Sequence, residues 1–169
     1  GCGVMFAKKL FSNIGYYNSN IFIYYNELDL TARCYDAGFQ VLYVSDINVF
    51  HLQSSEARIS KNTNPLYSKF RFYHYYLSYF IFLVTYFNTS KIIKYSIKLF
   101  FSNLISCFAT NFWLTFIKAS IINIYRFPKL YQNRTPLSTE TQKFYNNGNF
   151  PLIDRFVFPD FKKSKQDEK

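Results

Sequence analysis

The stretch FQVLYVSDINVFH, Phe39 to His51, decides how this chain is read. It holds two runs of β-branched and aromatic residues, FQVLYV and INVFH, separated by Ser45 and Asp46, which is the pattern of two short strands joined by a turn. Directly before it, YYNELDLTARCYDAG, Tyr24 to Gly38, reads as a helix. Asn26 is a candidate N-cap, with Asp29 in a box-like position three residues on. Gly38 ends the helix in the left-handed conformation that glycine adopts without strain. Further back, GCGVMFAK, from Gly1, reads as an apolar strand and KKLFSNIG as one or two helical turns stopped by Gly15. Strand, helix and strand in so short a space predict the edge of an α/β sheet.

Two carboxylates open the central helix, and geometry separates them. Glu27 and Asp29 are two positions apart, a rotation of roughly 200°, so their side chains point in different directions. Asp29 has Arg33 four residues on, the favoured acid-then-base order. Glu27 has only Leu30 and Thr31 at those spacings. Either acid can complement the helix dipole, a role that suits Asp29 and leaves Glu27 over. His51, at the end of an apolar run, and His74, inside FYHYYLSYF, are both of a kind that often serves only packing.

Downstream of residue 65 the character changes. LYSKFRFYHYYLSYFIFLVTYF reads as a long aromatic helix that NTS breaks. A second helix is expected from Lys91, where Lys94, Lys98, Ser102, Ser106 and Thr110 draw a polar stripe down an apolar cylinder. Residues 99–117 carry no charge and approach the minimum length for a membrane span. Asn103, Asn111 and the Ser/Thr stripe favour a helix lying in the interface over one crossing it. From about Arg126 the chain is mixed and turn-rich, and it closes on a charged tail, KKSKQDEK. Three regions result: 1–65, 66–125 and 126–169.

Composition narrows the function classes. With 49% of its 169 residues apolar the chain can bury a core, and its 21 Phe and 16 Tyr alongside abundant Ile, Lys and Asn resemble AT-rich codon usage. Cys2, Cys34 and Cys107 are few and scattered, which argues against a disulfide framework or structural zinc site and mildly for a reducing compartment. The net charge is +10, yet the 83 residues from Ala57 to Thr139 hold eleven Lys or Arg and no Asp or Glu. Anionic lipid and nucleic acid are the two physical candidates for such a field. The basic residues flank apolar helices and form no aromatic-interleaved groove, so lipid is expected and nucleic acid is not. The start, GCGVMFAKK, has no initiator Met, basic n-region or cleavable apolar segment, and the chain is expected to be the C-terminal piece of something longer.

The first 55 residues carry a resemblance. A small-residue strand, a basic-aromatic segment ending in IG, then NELDLTARCYDAG, a strand pair and HLQSS occur in order. Together they resemble the C-terminal half of the catalytic domain of family 2 glycosyltransferases. The resemblance implies a GT-A-type α/β fold followed by long amphipathic or apolar helices. It also implies inverting, single-displacement sugar transfer from a nucleotide-sugar donor to a glycan or lipid-linked acceptor in cell-surface polysaccharide synthesis. Laid onto the family pattern, Glu27 falls at the general base and Asn26 at the acid before it. Asp29 and Arg33 take supporting places, and His51 that of a ligand to a divalent Mn²⁺ or Mg²⁺. The resemblance puts the other metal ligands and the donor site upstream of Gly1, so the chain alone is expected to be inactive. Asn26 for an acid, and Glu for Asp at the base, are departures from the pattern.

The expected setting is the cytoplasmic face of the membrane, held peripherally by anionic lipid or by one span at 99–117. The competing reading is a non-catalytic membrane-surface or membrane-spanning interaction protein, in which Glu27 and His51 are structural.

Overall fold

The computed structural model describes residues 3–42, 48, 50 and 68–146, with only the backbone of Asn146. Six helices make up the regular structure there: α1 Lys8–Ile14, α2 Asn26–Asp36, α3 Lys69–Tyr86, α4 Thr89–Thr110, α5 Trp113–Gln132 and α6 Thr139–Asn146.

The α/β expectation, and with it the GT-A fold that the family resemblance implied, is overturned. Among the described residues there is no strand, and the architecture is a helical bundle. An extended run becomes a strand only when its backbone groups find a ladder. The strand expected from Gly1 to Lys8 is one of the losses. Gly1 and Cys2 lie outside the described residues, Val4 to Ala7 are not paired into a sheet, and Lys8 already begins α1. Phe39 to Leu42 likewise lie outside helices and are not paired. The remainder of FQVLYVSDINVFH lies mostly outside the described residues, as does His51.

Helix α3 is the centre. Ten of its residues are buried, including Phe72, Tyr79, Ile81, Leu83 and Val84, so it is apolar on all sides as a core helix must be. It packs chiefly on α5 and then on α4. Phe87 ends it, and Asn88 caps α4 by accepting the Lys91 N–H at 3.1 Å. Helix α4 stops at Asn111, which is left-handed at φ 57° and returns its N–H to the Cys107 carbonyl. The uncharged stretch 99–117 is therefore not one helix, since Asn111 and Phe112 divide it between α4 and α5. Helix α4 itself, Thr89–Thr110, is long and apolar enough to cross a membrane. Helix α5 passes through Pro128 to Gln132 and does not turn at Arg126.

The N-terminal part docks on this bundle. Helix α1 packs on α2 around Leu10, Leu30 and Cys34, and Gly15 at φ 73° stops it. The aromatic loop that follows is fixed to α3 by Ser78 Oγ donating to the Ile23 carbonyl at 2.7 Å. The chain after α5 returns along the end of α3, where Thr135 N–H meets Thr85 O and Leu137 N–H meets Tyr86 O. That path delivers α6 to the flank of α2.

Candidate functional site

The approach to α2 is strained. Tyr24 and Tyr25 both adopt left-handed backbone, at φ 61° and 57°, a conformation that costs a non-glycine residue of order 1–3 kcal/mol. Burial of the Tyr25 ring holds it there: it stacks on Tyr79 at 5.0 Å, and its hydroxyl donates to that of Tyr75 at 2.9 Å. This turn displaces the expected cap. Tyr25 occupies the N-cap position without a side-chain bond, and Asn26 is the first helical residue.

Helix α2 then presents two different faces. Toward solvent, Glu27, Thr31 and Tyr35 recur at four-residue spacing along one wall of a cleft of about 1020 Å³. The opposite wall comes from α6, through Glu140, Phe144 and Tyr145, and the segment Gly38–Leu42 closes one side. Tyr35 stacks on Phe144 at 4.6 Å, and Asp36 accepts the Ser138 N–H at 2.8 Å, so α2 and α6 are fastened where the cleft is formed. Among the described residues, three carboxylates (Glu27, Asp36 and Glu140) and no Lys or Arg line the cleft.

Toward the interior, Asp29 is fully buried, and Arg33 Nη2 donates to its Oδ2 at 2.6 Å. The guanidinium also reaches the Ile14 and Tyr16 carbonyls, at 2.5 and 2.8 Å, binding α2 to the chain just after α1. The structure thus parts the four predicted residues. Glu27 lies in the cleft, Asp29 and Arg33 form a structural latch behind it, and Asn26 does not line it.

The electrostatics follow from burial. Partial burial pushes the Glu27 carboxyl up, but hydrogen bonds, one of them from its own backbone N–H, outweigh this and leave it below its ordinary value. Glu27 is therefore a carboxylate at neutral pH. Asp36 is lowered in the same way, burial being outweighed by Ser138 and Thr141. Burial raises the phenol of Tyr75 to about 12, and those of Tyr25 and Tyr145 also rise, so these rings stay neutral donors. Among the described residues no three His, Cys, Asp or Glu side chains come together. His51, the metal ligand that the resemblance implied, lies outside the described residues. The donor site expected upstream of Gly1 falls, like Gly1 itself, outside the described residues.

The cleft's second wall escaped the sequence reading. Residues 126–146 looked turn-rich because of their prolines, yet Ser138-Thr-Glu-Thr is a helix start: Ser138 Oγ accepts the Thr141 N–H at 3.2 Å. That signal was present and would have located α6.

Compared with models of protein families, with curated proteins and with solved structures, the chain matches none.

Proposed function

We propose that the cleft binds a sugar acceptor and that Glu27 is the general base of an inverting transfer from a nucleotide-sugar donor to a glycan or lipid-linked hydroxyl. The observation that carries this reading is the placing of Glu27 in a cleft whose described walls are aromatic and whose described charges are acidic. A sugar presents C–H faces, which suit rings such as Tyr35 and Phe144, and a rim of hydroxyls, which suit carboxylates. The described lining carries three acids and neither Lys nor Arg, which suits a neutral acceptor better than a diphosphate. In the reaction Glu27 takes the proton of the acceptor hydroxyl as its oxygen attacks the anomeric carbon and the nucleoside diphosphate leaves from the opposite face. The donor is held by residues other than those of this cleft.

The support for membrane attachment is the outward face of α4 and α5. Ile93, Ile97, Phe101, Ile105 and Phe108 recur at three- and four-residue spacing, with Leu114, Ile117, Ile121 and Ile124 beside them, and every one is at least half exposed. An apolar surface of that extent on a monomer marks an interface. Lys94, Lys118, Arg126 and Lys129 are exposed on the same two helices, which suits an anionic leaflet such as the cytoplasmic one. We read the pair as lying in the lipid interface, with attachment peripheral.

Titration of the ¹⁵N-labelled chain with neutral disaccharides tests the acceptor reading. Amide shifts confined to residues around Tyr35, Glu140 and Tyr145 are expected. Shifts produced by a nucleoside diphosphate and by no saccharide would sink it.

A further inference from the structure

The outward face of α4 and α5 is notched by a second cavity, of about 260 Å³, between α3, α4 and α5. Its rim is apolar and open: Ile97, Phe100 and Phe101 on α4 and Ile124 on α5 are all substantially exposed. Its floor is polar. Asn123 is only 3% exposed, yet neither its Oδ1 nor its Nδ2 has a partner within hydrogen-bonding geometry, and the buried Ser96 Oγ is likewise without one. The Tyr76 hydroxyl pairs with Ser120 Oγ at 3.3 Å and also approaches the Asn123 amide, at a geometry too poor for a full hydrogen bond. A buried polar group without a partner costs about 1–3 kcal/mol, and here three such atoms sit in one notch. Among the described residues, no Asp, Glu, Lys or Arg lines it.

These features define a ligand. Absence of charge along the lining selects a neutral group, because a buried ion without a counter-charge is far more costly than a dipole. The Asn123 amide offers one donor and one acceptor side by side. A single hydroxyl can accept from Nδ2 and donate to Oδ1, whereas an ester can only accept and a hydrocarbon does neither. The space exceeds the roughly 10–15 Å³ that holds one water and the roughly 150 Å³ that holds benzene in an engineered cavity. We propose that this notch binds the hydroxyl end of a long aliphatic chain, hydroxyl on Asn123 and Ser96, with the chain leaving past Phe101 and Ile124 onto the apolar face. The membrane reading enters only as the source of such a chain.

The test uses the full chain, ¹⁵N-labelled, titrated with 1-decanol, methyl decanoate, decane and decanoate while the Asn123 side-chain NH₂ resonance is followed. Decanol should shift that resonance to saturation. The ester should bind roughly tenfold more weakly, about the worth of one net hydrogen bond, and decane and decanoate should leave the resonance in place. Asn123→Leu should weaken decanol binding by at least about tenfold, read on neighbouring backbone amides, without changing co-sedimentation with vesicles; Ser96→Ala serves if the first variant does not fold. Equal binding of decane and decanol, unchanged in Asn123→Leu, would overturn the proposal, as would a resonance that decanol never moves, since the notch would then hold only water. A wild type that takes decanol yet ignores vesicles supports the site and removes the membrane reading alone.

Discussion

Helices α2 and α4 both turn polar side chains toward the protein, but they satisfy them in opposite ways. In α2 the inward groups are ions, Asp29 and Arg33, which pair with each other, and Arg33 also donates to the Ile14 and Tyr16 carbonyls of another segment. In α4, Ser96 aside, the inward Asn, Ser and Thr groups toward the C-terminal end are neutral and serve themselves. Asn103 Nδ2 donates to Leu99 O, Ser106 Oγ to Ser102 O and Thr110 Oγ1 to Ser106 O, each one turn back along the same helix. A helix that closes its own polar bonds leaves its outer face free for apolar residues, as α4 does. A helix holding buried ions is committed to its neighbours, and α2 is correspondingly fixed beside the cleft.

The sharpest way to break this contrast is on the two faces of α2 itself. With Glu27 as the proposed base, Glu27→Gln should lower the rate of sugar transfer by roughly 10² to 10⁴, the scale of general-base catalysis, with little change in the melting temperature. Wild-type turnover in that variant would place the base elsewhere.

Asp29→Asn should act on stability, by about 3–5 kcal/mol, because it leaves Arg33 with an uncompensated charge against the interior. The ion pair is almost wholly enclosed, so this exceeds the kilocalorie or less that an exposed helical pair would give. Urea unfolding measures it, and Asp29→Leu combined with Arg33→Met should recover part of the loss. A loss under about 1 kcal/mol would show that α2 does not depend on its latch.

On α4 the expectation reverses. Phe101→Glu with Ile121→Glu should leave unfolding almost unaffected, since both side chains are more than half exposed. Binding to anionic vesicles should fall by at least about a hundredfold, from roughly 1.5–3 kcal/mol of apolar burial lost per residue. Co-sedimentation reads this directly, and unchanged binding would mean that another surface meets lipid.

The smallest effect belongs to the bond between α2 and α6. Asp36 has a folded pKa below its unfolded value of about 3.9. Its contribution is therefore complete above about pH 4 and is lost as pH falls through the lower, folded value. Asp36 is exposed, so the gap in melting temperature between wild type and Asp36→Asn should be small near neutrality and should close in acid. A gap that does not narrow at all as the pH is lowered below about 4 would assign it to something other than the carboxylate.

What could be read from the sequence was what nearest neighbours along the chain decide. The stop at Gly15, the long helix after residue 68, the break at Asn88 and the spacing of Asp29 from Arg33 are all local. The separation of Glu27 from Asp29 was local too, which is why the cleft face of α2 was legible. The strands were not, because FQVLYV has the composition of a strand whether or not a partner exists. Nor was the direction of the polar stripe on α4. Periodicity marks a face but does not say whether water, protein or lipid covers it, and Ser102 turned out to be buried while Phe108 is not. Depth is the other quantity that sequence withholds. Asp29 looks like any first-turn acid until Asn18, Tyr86 and the α1 loop are seen around it.

The bond between Asp36 and Ser138 spans 102 positions of the chain, and that has a temporal consequence. Helices α3, α4 and α5 follow one another with two-residue connections, so their mutual contacts are near in sequence and quick to form. Closing the long loop that brings α6 to α2 carries a larger entropy loss, and its reward, a stacked ring pair and a few hydrogen bonds, comes only at the end. The bundle can therefore assemble first and the cleft last. On the proposed function, a newly made chain would present its apolar helices to a membrane before it possessed a place to hold a sugar.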